Sequence, residues 1–135
     1  MSNLNAFLRP ALPEKVEEVV VSQRFTDENG VPQPFQIRAL TQEENEEVTK
    51  KATRTQKVDG IMQERLDSID FTRRLVVAAT VFPDFKSTEV CEYFGTLDPL
   101  QVPGKMLLAG EYAKLAKAIS KLCGFEESVE EEAKN

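Results

Sequence analysis

Between Val19 and Ala39 the apolar residues first run together and then alternate. Val19, Val20 and Val21, followed by Phe25, favour an extended strand; Asp27-Glu28-Asn29-Gly30 supplies turn chemistry; Phe35, Ile37 and Ala39 then alternate with Gln36 and Arg38. The pattern predicts a β-hairpin. Successive side chains of a strand point to opposite faces, so Phe35, Ile37 and Ala39 share one face that has to rest on something. A lone hairpin is marginal in water, and its cover must come from the helical remainder.

After the hairpin the period changes. Thr41-Gln42-Glu43-Glu44 has the capping-box spacing that starts a helix. Glu43, Glu44, Glu46 and Glu47 come early in it and Lys50, Lys51, Arg54 and Lys57 late, the order that complements the helix dipole, with Gly60 as the expected break. Only Val48 and Ala52 are clearly apolar, so most of this helix is expected to face solvent. Leu66, Ile69, Phe71, Leu75, Val76, Ala78, Ala79 and Phe82 predict a central core helix stopped by Pro83. Ser87 fits the N-cap of a short helix through Val90, Cys91 and Phe94 closed by Gly95, and Asp98-Pro99 suits one further helical turn before Pro103-Gly104 interrupts. Tyr112, Leu115, Ala116, Ile119, Leu122 and Cys123 then fall on one helical face, leaving Glu111, Lys114, Lys117 and Lys121 outside. Gly124 suits the left-handed position past a helix end, with Phe125 folding back on Ile119. The expected architecture is α+β, with an N-terminal antiparallel β-hairpin packed on a bundle of four to five helices and a third strand available from the N-terminus. Residues 1–15 are expected to be a flexible segment, 16–125 a single domain and 126–135 a disordered acidic tail.

Composition narrows the chemistry. The chain has 135 residues, 41% hydrophobic and 30% charged, and no apolar run approaches the ~20 residues of a membrane span. The N-terminus has no basic leader or apolar stretch, which predicts a cytoplasmic address. Net charge is −6, of which residues 126–135, with five Glu and one Lys, carry −4. A solvated tail is expected there, and the absence of a basic cluster argues against nucleic-acid binding. There is no histidine, Cys91 and Cys123 have no paired spacing, and no Gly-rich phosphate loop or Gly-x-Ser-x-Gly turn occurs. No catalytic residue, metal ligand or cofactor site is expected, and the two cysteines read as small buried hydrophobes.

One stretch reads as more than a core helix. KMLLAGEYAKLAKAISKLCGF, from Lys105 to Phe125, closely resembles the end of the XkdN-like tail assembly chaperones of long-tailed phages and prophages. There a Met-Leu-Leu-x-Gly-Glu-Tyr run leads into an amphipathic helix with a Gly-Phe stop. VSQRFTDENGVPQPFQIRALTQEENEEVTKKAT is similar to the same family's N-terminal half: a Ser-x-Arg-Phe strand, an acidic Gly turn, an Ile-Arg-Ala strand and a Thr-Gln-Glu-Glu helix start. The resemblance covers about Val19 to Phe125, and its weight lies in the order of the motifs. It implies a non-enzymatic assembly factor of the host cytoplasm, absent from the mature virion. The implied client is the tape measure protein, with the tail tube protein as a further partner. Exposed apolar stripes on so long a helical client aggregate unless another apolar surface covers them. The contact is expected at Met106, Leu107, Leu108 and Tyr112, of which Leu107 and Leu108 also suit the core. A longer product made by ribosomal frameshifting near the chain's end is implied as well. The rival readings are a structural component of the virion tail and a small non-enzymatic interaction module.

Overall fold

The computed structural model describes residues 3–8 and 16–125. The acidic tail at 126–135 lies outside the described residues, and of the expected flexible segment only 3–8 are described, including a four-residue helix α1 (Asn5–Leu8) with Phe7 and Leu8 exposed.

The mixed α+β class fits, but the arrangement differs from an N-terminal hairpin on a bundle of four to five helices. Among the described residues there are six α-helices and two separate sheets. The first sheet has three antiparallel strands in the order β1 (Val16–Val19), β2 (Phe35–Arg38), β5 (Thr80–Phe82). β1 lies earlier than the valine run suggests, pairing Val19 with Phe35 and Val16 with Arg38. The residues between Val19 and Phe35 form a long loop that carries Val21 and Ser22 inward and holds the expected tight turn, with the Gly30 N–H on Asp27 O and Gly30 at φ +78°. The third strand comes from the far side of the central helix.

The largest departure follows the capping box. That box forms: Thr41 Oγ1 accepts from the Glu44 N–H at 3.1 Å, and the Glu44 carboxylate accepts from the Thr41 N–H at 3.0 Å. The helix it starts, α2 (Gln42–Ala52), stops well short of Gly60. Thr53 turns extended, and β3 (Thr53–Val58) and β4 (Ile61–Leu66) form a second, two-stranded sheet. Asp59-Gly60, both at positive φ, makes the two-residue turn. Arg54 and Lys57 therefore sit on a strand and not at a helix end. Every residue of the two strands but Thr53 is exposed, so the hairpin stands out from the body as an arm.

The central helix α3 (Ser68–Ala79) is capped by Asp67, whose carboxylate accepts from the Asp70 N–H. It is shorter than its apolar rhythm: Leu66 belongs to β4 and Phe82 to β5, and Pro83 follows the strand. Ser87 holds the N-cap position of α4 (Thr88–Tyr93) without a side-chain cap bond. Asp98 caps a 3-10 turn at Pro99–Gln101, which runs into α5 (Val102–Met106), so Pro103-Gly104 lies within a helix instead of breaking one. The last helix is α6 (Ala109–Leu122). It ends as expected at Gly124, φ +93°, with the Gly124 N–H on Lys121 O and the Phe125 N–H on Ser120 O.

The core lies between the first sheet and these helices. Phe35 and Ile37 of β2, Leu75 and Val76 of α3, Phe85, Val102, and Leu115 and Ile119 of α6 are buried together. Each such side chain contributes about 1.5–3 kcal/mol relative to exposure, so this cluster sets where the loops and helix ends can go.

Candidate functional site

The two motifs that stand out in the sequence meet in space. The loop after β1 carries Ser22, Arg24 and Phe25 to the point where α5 ends and α6 begins. Phe25 anchors the loop: its ring is edge-on to Phe35, centroids 5.7 Å apart, and Phe35 in turn contacts Phe85. The Arg24 guanidinium lies over the Phe25 ring at 4.9 Å, and the Arg24 N–H bonds Ser22 Oγ.

From there Arg24 reaches three acceptors. Nε donates to Glu111 Oε2 at 3.1 Å, and Nη2 donates both to Glu111 Oε1 and to the Met106 carbonyl. Glu111 also accepts from the Leu108 N–H at 2.8 Å. Leu108 holds the N-cap position of α6 but has no oxygen with which to cap, so Glu111 at the third helical position serves the exposed amide from inside the helix. These bonds from Arg24, from Ser22 and from the Leu108 N–H hold the Glu111 carboxyl down at about 2. Arg24 is correspondingly raised, chiefly by its bond to Glu111. Glu111 is thus not on the outer face with Lys114 and Lys121, as periodicity places it; it turns back against the loop.

The residues expected to bind a partner are spread in depth around this lock. Leu107 is 8% exposed and belongs to the core; Leu108, one residue on, is 63% exposed. Met106 and Tyr112 are half-buried against that core. Burial raises the Tyr112 hydroxyl above its ordinary value, with Arg73 opposing. Met106, Leu108 and Tyr112 therefore reach the surface at the junction, while Leu107 faces inward. No local pattern pairs Arg24 with Glu111, which lie far apart in sequence; each is marked only by its own motif, Ser-x-Arg-Phe and Met-Leu-Leu-x-Gly-Glu-Tyr.

Among the described residues one charged side chain is buried, at a position that no sequence pattern marks. Asp70 is 9% exposed and accepts from Arg54 Nη2 and Arg74 Nε, both at 2.8 Å. Burial would raise this carboxyl, but the bonds from Arg74 and Arg54 outweigh it and leave it below the usual range. Arg54 thereby ties the base of the projecting hairpin to α3. Beside that tie a shallow cleft of about 260 Å³ is lined by Arg54, Gln56, Arg65, Leu66 and Ile69. Among the described residues no cluster of three or more metal-ligating side chains occurs, and no helix is long and apolar enough to cross a membrane. Cys91 is buried, its thiol donating to Phe85 O, while Cys123 is half-buried and accepts from the Leu40 N–H.

Comparison with known proteins gives a consistent answer. The family described as phage XkdN-like tail assembly chaperone protein matches residues 4–134. The XkdN protein of the phage-like element PBSX of Bacillus subtilis is 36% identical over 137 residues, covering 96% of this chain and 93% of that one. Protein YqbN of the same organism is 37% identical over 137 residues, with 96% and 92% covered. The crystal structure of YqbN matches with a TM-score of 0.74 at 33% identity, over 90% of this chain and 96% of that one.

Proposed function

Since this chain belongs to the phage XkdN-like tail assembly chaperone family, we propose that it binds the tape measure protein and keeps it soluble while the tail is assembled in the host cytoplasm. The observation that carries this reading is the family match over nearly the whole chain, and family membership extends to phage tail proteins as partners in general. The chemistry expected of such a role is masking of apolar surface, and no catalytic step is needed for it. Leu108 stands exposed beside half-buried Met106 and Tyr112, and this surface supports a helix-on-surface contact in which the client's apolar stripe covers the three. Leu107 acts from below, holding the α5–α6 junction to the core. The Arg24–Glu111 fork fixes the direction in which α6 leaves that junction, so the contact surface is preorganised and little ordering is left to binding. The tail tube protein, which would displace the chaperone as it polymerises around the client, is the second partner.

Co-expression with the tape measure protein tests the reading. The client is expected in the soluble fraction only when this chain is present, and pull-down is expected to fail for the variant Met106→Glu/Leu108→Glu/Tyr112→Glu while its fold, read by circular dichroism, persists. A client that stays dispersed alone, or recovery of this chain as a stoichiometric part of purified particles, overturns it.

A further inference from the structure

The arm formed by β3 and β4 adds no buried side chain to the core. Both of its faces are open, and its tip carries Val58, Ile61 and Met62, the last two each 63% exposed. A two-stranded hairpin gains little in water by itself, and exposed aliphatic side chains at its end add to the cost. The backbone of β4 specifies what can complete it. The Asp67 N–H bonds Ala52 O at the base and Asp59-Gly60 closes the Val58–Ile61 pair at the tip. Between these ends the alternation of an antiparallel ladder turns the N–H and C=O of Ile61, Gln63 and Arg65 toward β3 and those of Met62, Glu64 and Leu66 outward. Among the described residues no strand meets that outer edge. Its guards are few: β4 has no lysine, no proline and no bulge, its charges Glu64 and Arg65 are of opposite sign, and its register with β3 is unbroken from Thr53–Leu66 to Val58–Ile61. The outer edge of β3 is different, since Lys57 guards it and the Thr53 N–H is already spent on Lys50 O.

We propose that β4 pairs edge to edge with β4 of a second copy of this chain, antiparallel about a two-fold axis at Gln63, to give one four-stranded sheet. The register follows from charge. Centring the axis on Glu64 sets two carboxylates face to face, and centring it on Arg65 opposes two guanidiniums. Centring it on Met62 leaves only three residues to pair before the turn. With the axis at Gln63, Gln63 meets Gln63, Met62 meets Glu64 and Ile61 meets Arg65, so within residues 61 to 65, all of which are used, no like charges oppose one another. The same register brings Ile61 of each tip beside the other copy's base, where the cleft of about 260 Å³ is lined by Arg65, Leu66 and Ile69, the last 66% exposed. Ile61 of each tip thus meets Leu66 and Ile69 of the other copy's base, within a cleft otherwise lined by the polar Arg54, Gln56, Arg65, Asp67 and Ser68, and the contact repeats on both sides as a two-fold interface requires.

Sedimentation or light scattering of the full chain, from dilute to concentrated solution, reads the outcome. The mass is expected to rise from 15.2 kDa toward twice that value. Glu64→Pro removes one outward N–H without touching the ladder to β3, and Ile61→Lys sets a second cation against Arg65. Each is expected to weaken association at least tenfold with an unchanged circular dichroism spectrum. In a Cys123→Ser background, Gln63→Cys is expected to form a disulfide-linked dimer on mild oxidation. Gln56→Cys, which would lie about three strand spacings from its copy, is expected to form none. A monomer at every concentration, association untouched by both edge variants, or equal cross-linking at 56 and 63 overturns the proposal. Should Glu64→Pro unfold the arm, Ile61→Lys and the cross-links decide. No client takes part, so the result is independent of the tape measure reading.

Discussion

Two carboxylates, Glu44 and Glu111, do the same work at different helix starts. Glu44 is held at about 2 first by Arg38, at 2.7 Å, and next by the Thr41 N–H; Glu111 is held at about 2 first by Arg24. Their ordinary value is 4.5. A depressed folded-state value means that the unfolded chain takes up the proton first on acidification. The contribution of each pair is therefore complete above about pH 4.5 and is lost as pH falls toward about 2. The thermal midpoint is expected to drop through this window, and Glu44→Gln/Glu111→Gln is expected to start lower at neutral pH and fall less. Because both pairs are partly solvated, added salt should shrink the difference. Thermal unfolding followed by circular dichroism from neutral to acid pH, at low and high salt, measures this. Arg24 adds a geometric condition, since its planar fork serves Glu111 through two nitrogens while also reaching Met106 O. Arg24→Lys is expected to lower the midpoint nearly as far as Arg24→Ala, because a single ammonium cannot span those acceptors.

At the scale of elements, sequence patterns were readable wherever one face of an element is buried. Helix α6 shows this best: Leu115 and Ile119 are fully buried, its apolar spacing located it, and Leu115→Ala is expected to cost about 2–5 kcal/mol in chemical denaturation. The capping box at Thr41 was legible for a related reason, being a local device that needs no tertiary context; Thr41→Ala should cost about 1 kcal/mol. The β3–β4 arm was illegible because neither of its faces is buried, so Thr55-Gln56-Lys57 and Gln63-Glu64-Arg65 show no alternation and pass for a charged helix. Its one clear mark was Asp59-Gly60, which reads equally as a helix break and as a two-residue hairpin turn. Strand β5 was hidden differently: the apolar rhythm of α3 runs on through Val81 and Phe82, and pairing with β2 overrides it at Thr80. Of the junction surface, the motifs were visible but their partnership was not, because no local rule links Arg24 to Glu111.

On the scale of the whole molecule, a body held by one buried cluster carries an appendage tied on at its base through Arg54, Asp70 and Arg74. If the arm contributes to association and not to the core, its removal must leave the body standing. Arg54 and Arg65 face each other as a pair in the ladder, so replacing residues 55–64 by Asn-Gly joins them through a two-residue turn and keeps the bonds to Asp70. The body loses no buried apolar side chain in this change, since every deleted residue is exposed. The expected change in stability is therefore that of a surface substitution, within about 0.5 kcal/mol, against about 2–5 kcal/mol for the cavity left by Leu115→Ala. Comparing the two variants by denaturant unfolding distinguishes an appendage from a structural strut: a loss in the shortened chain as large as that of Leu115→Ala would mean that the arm supports the body, and an unchanged midpoint would place its purpose outside the fold.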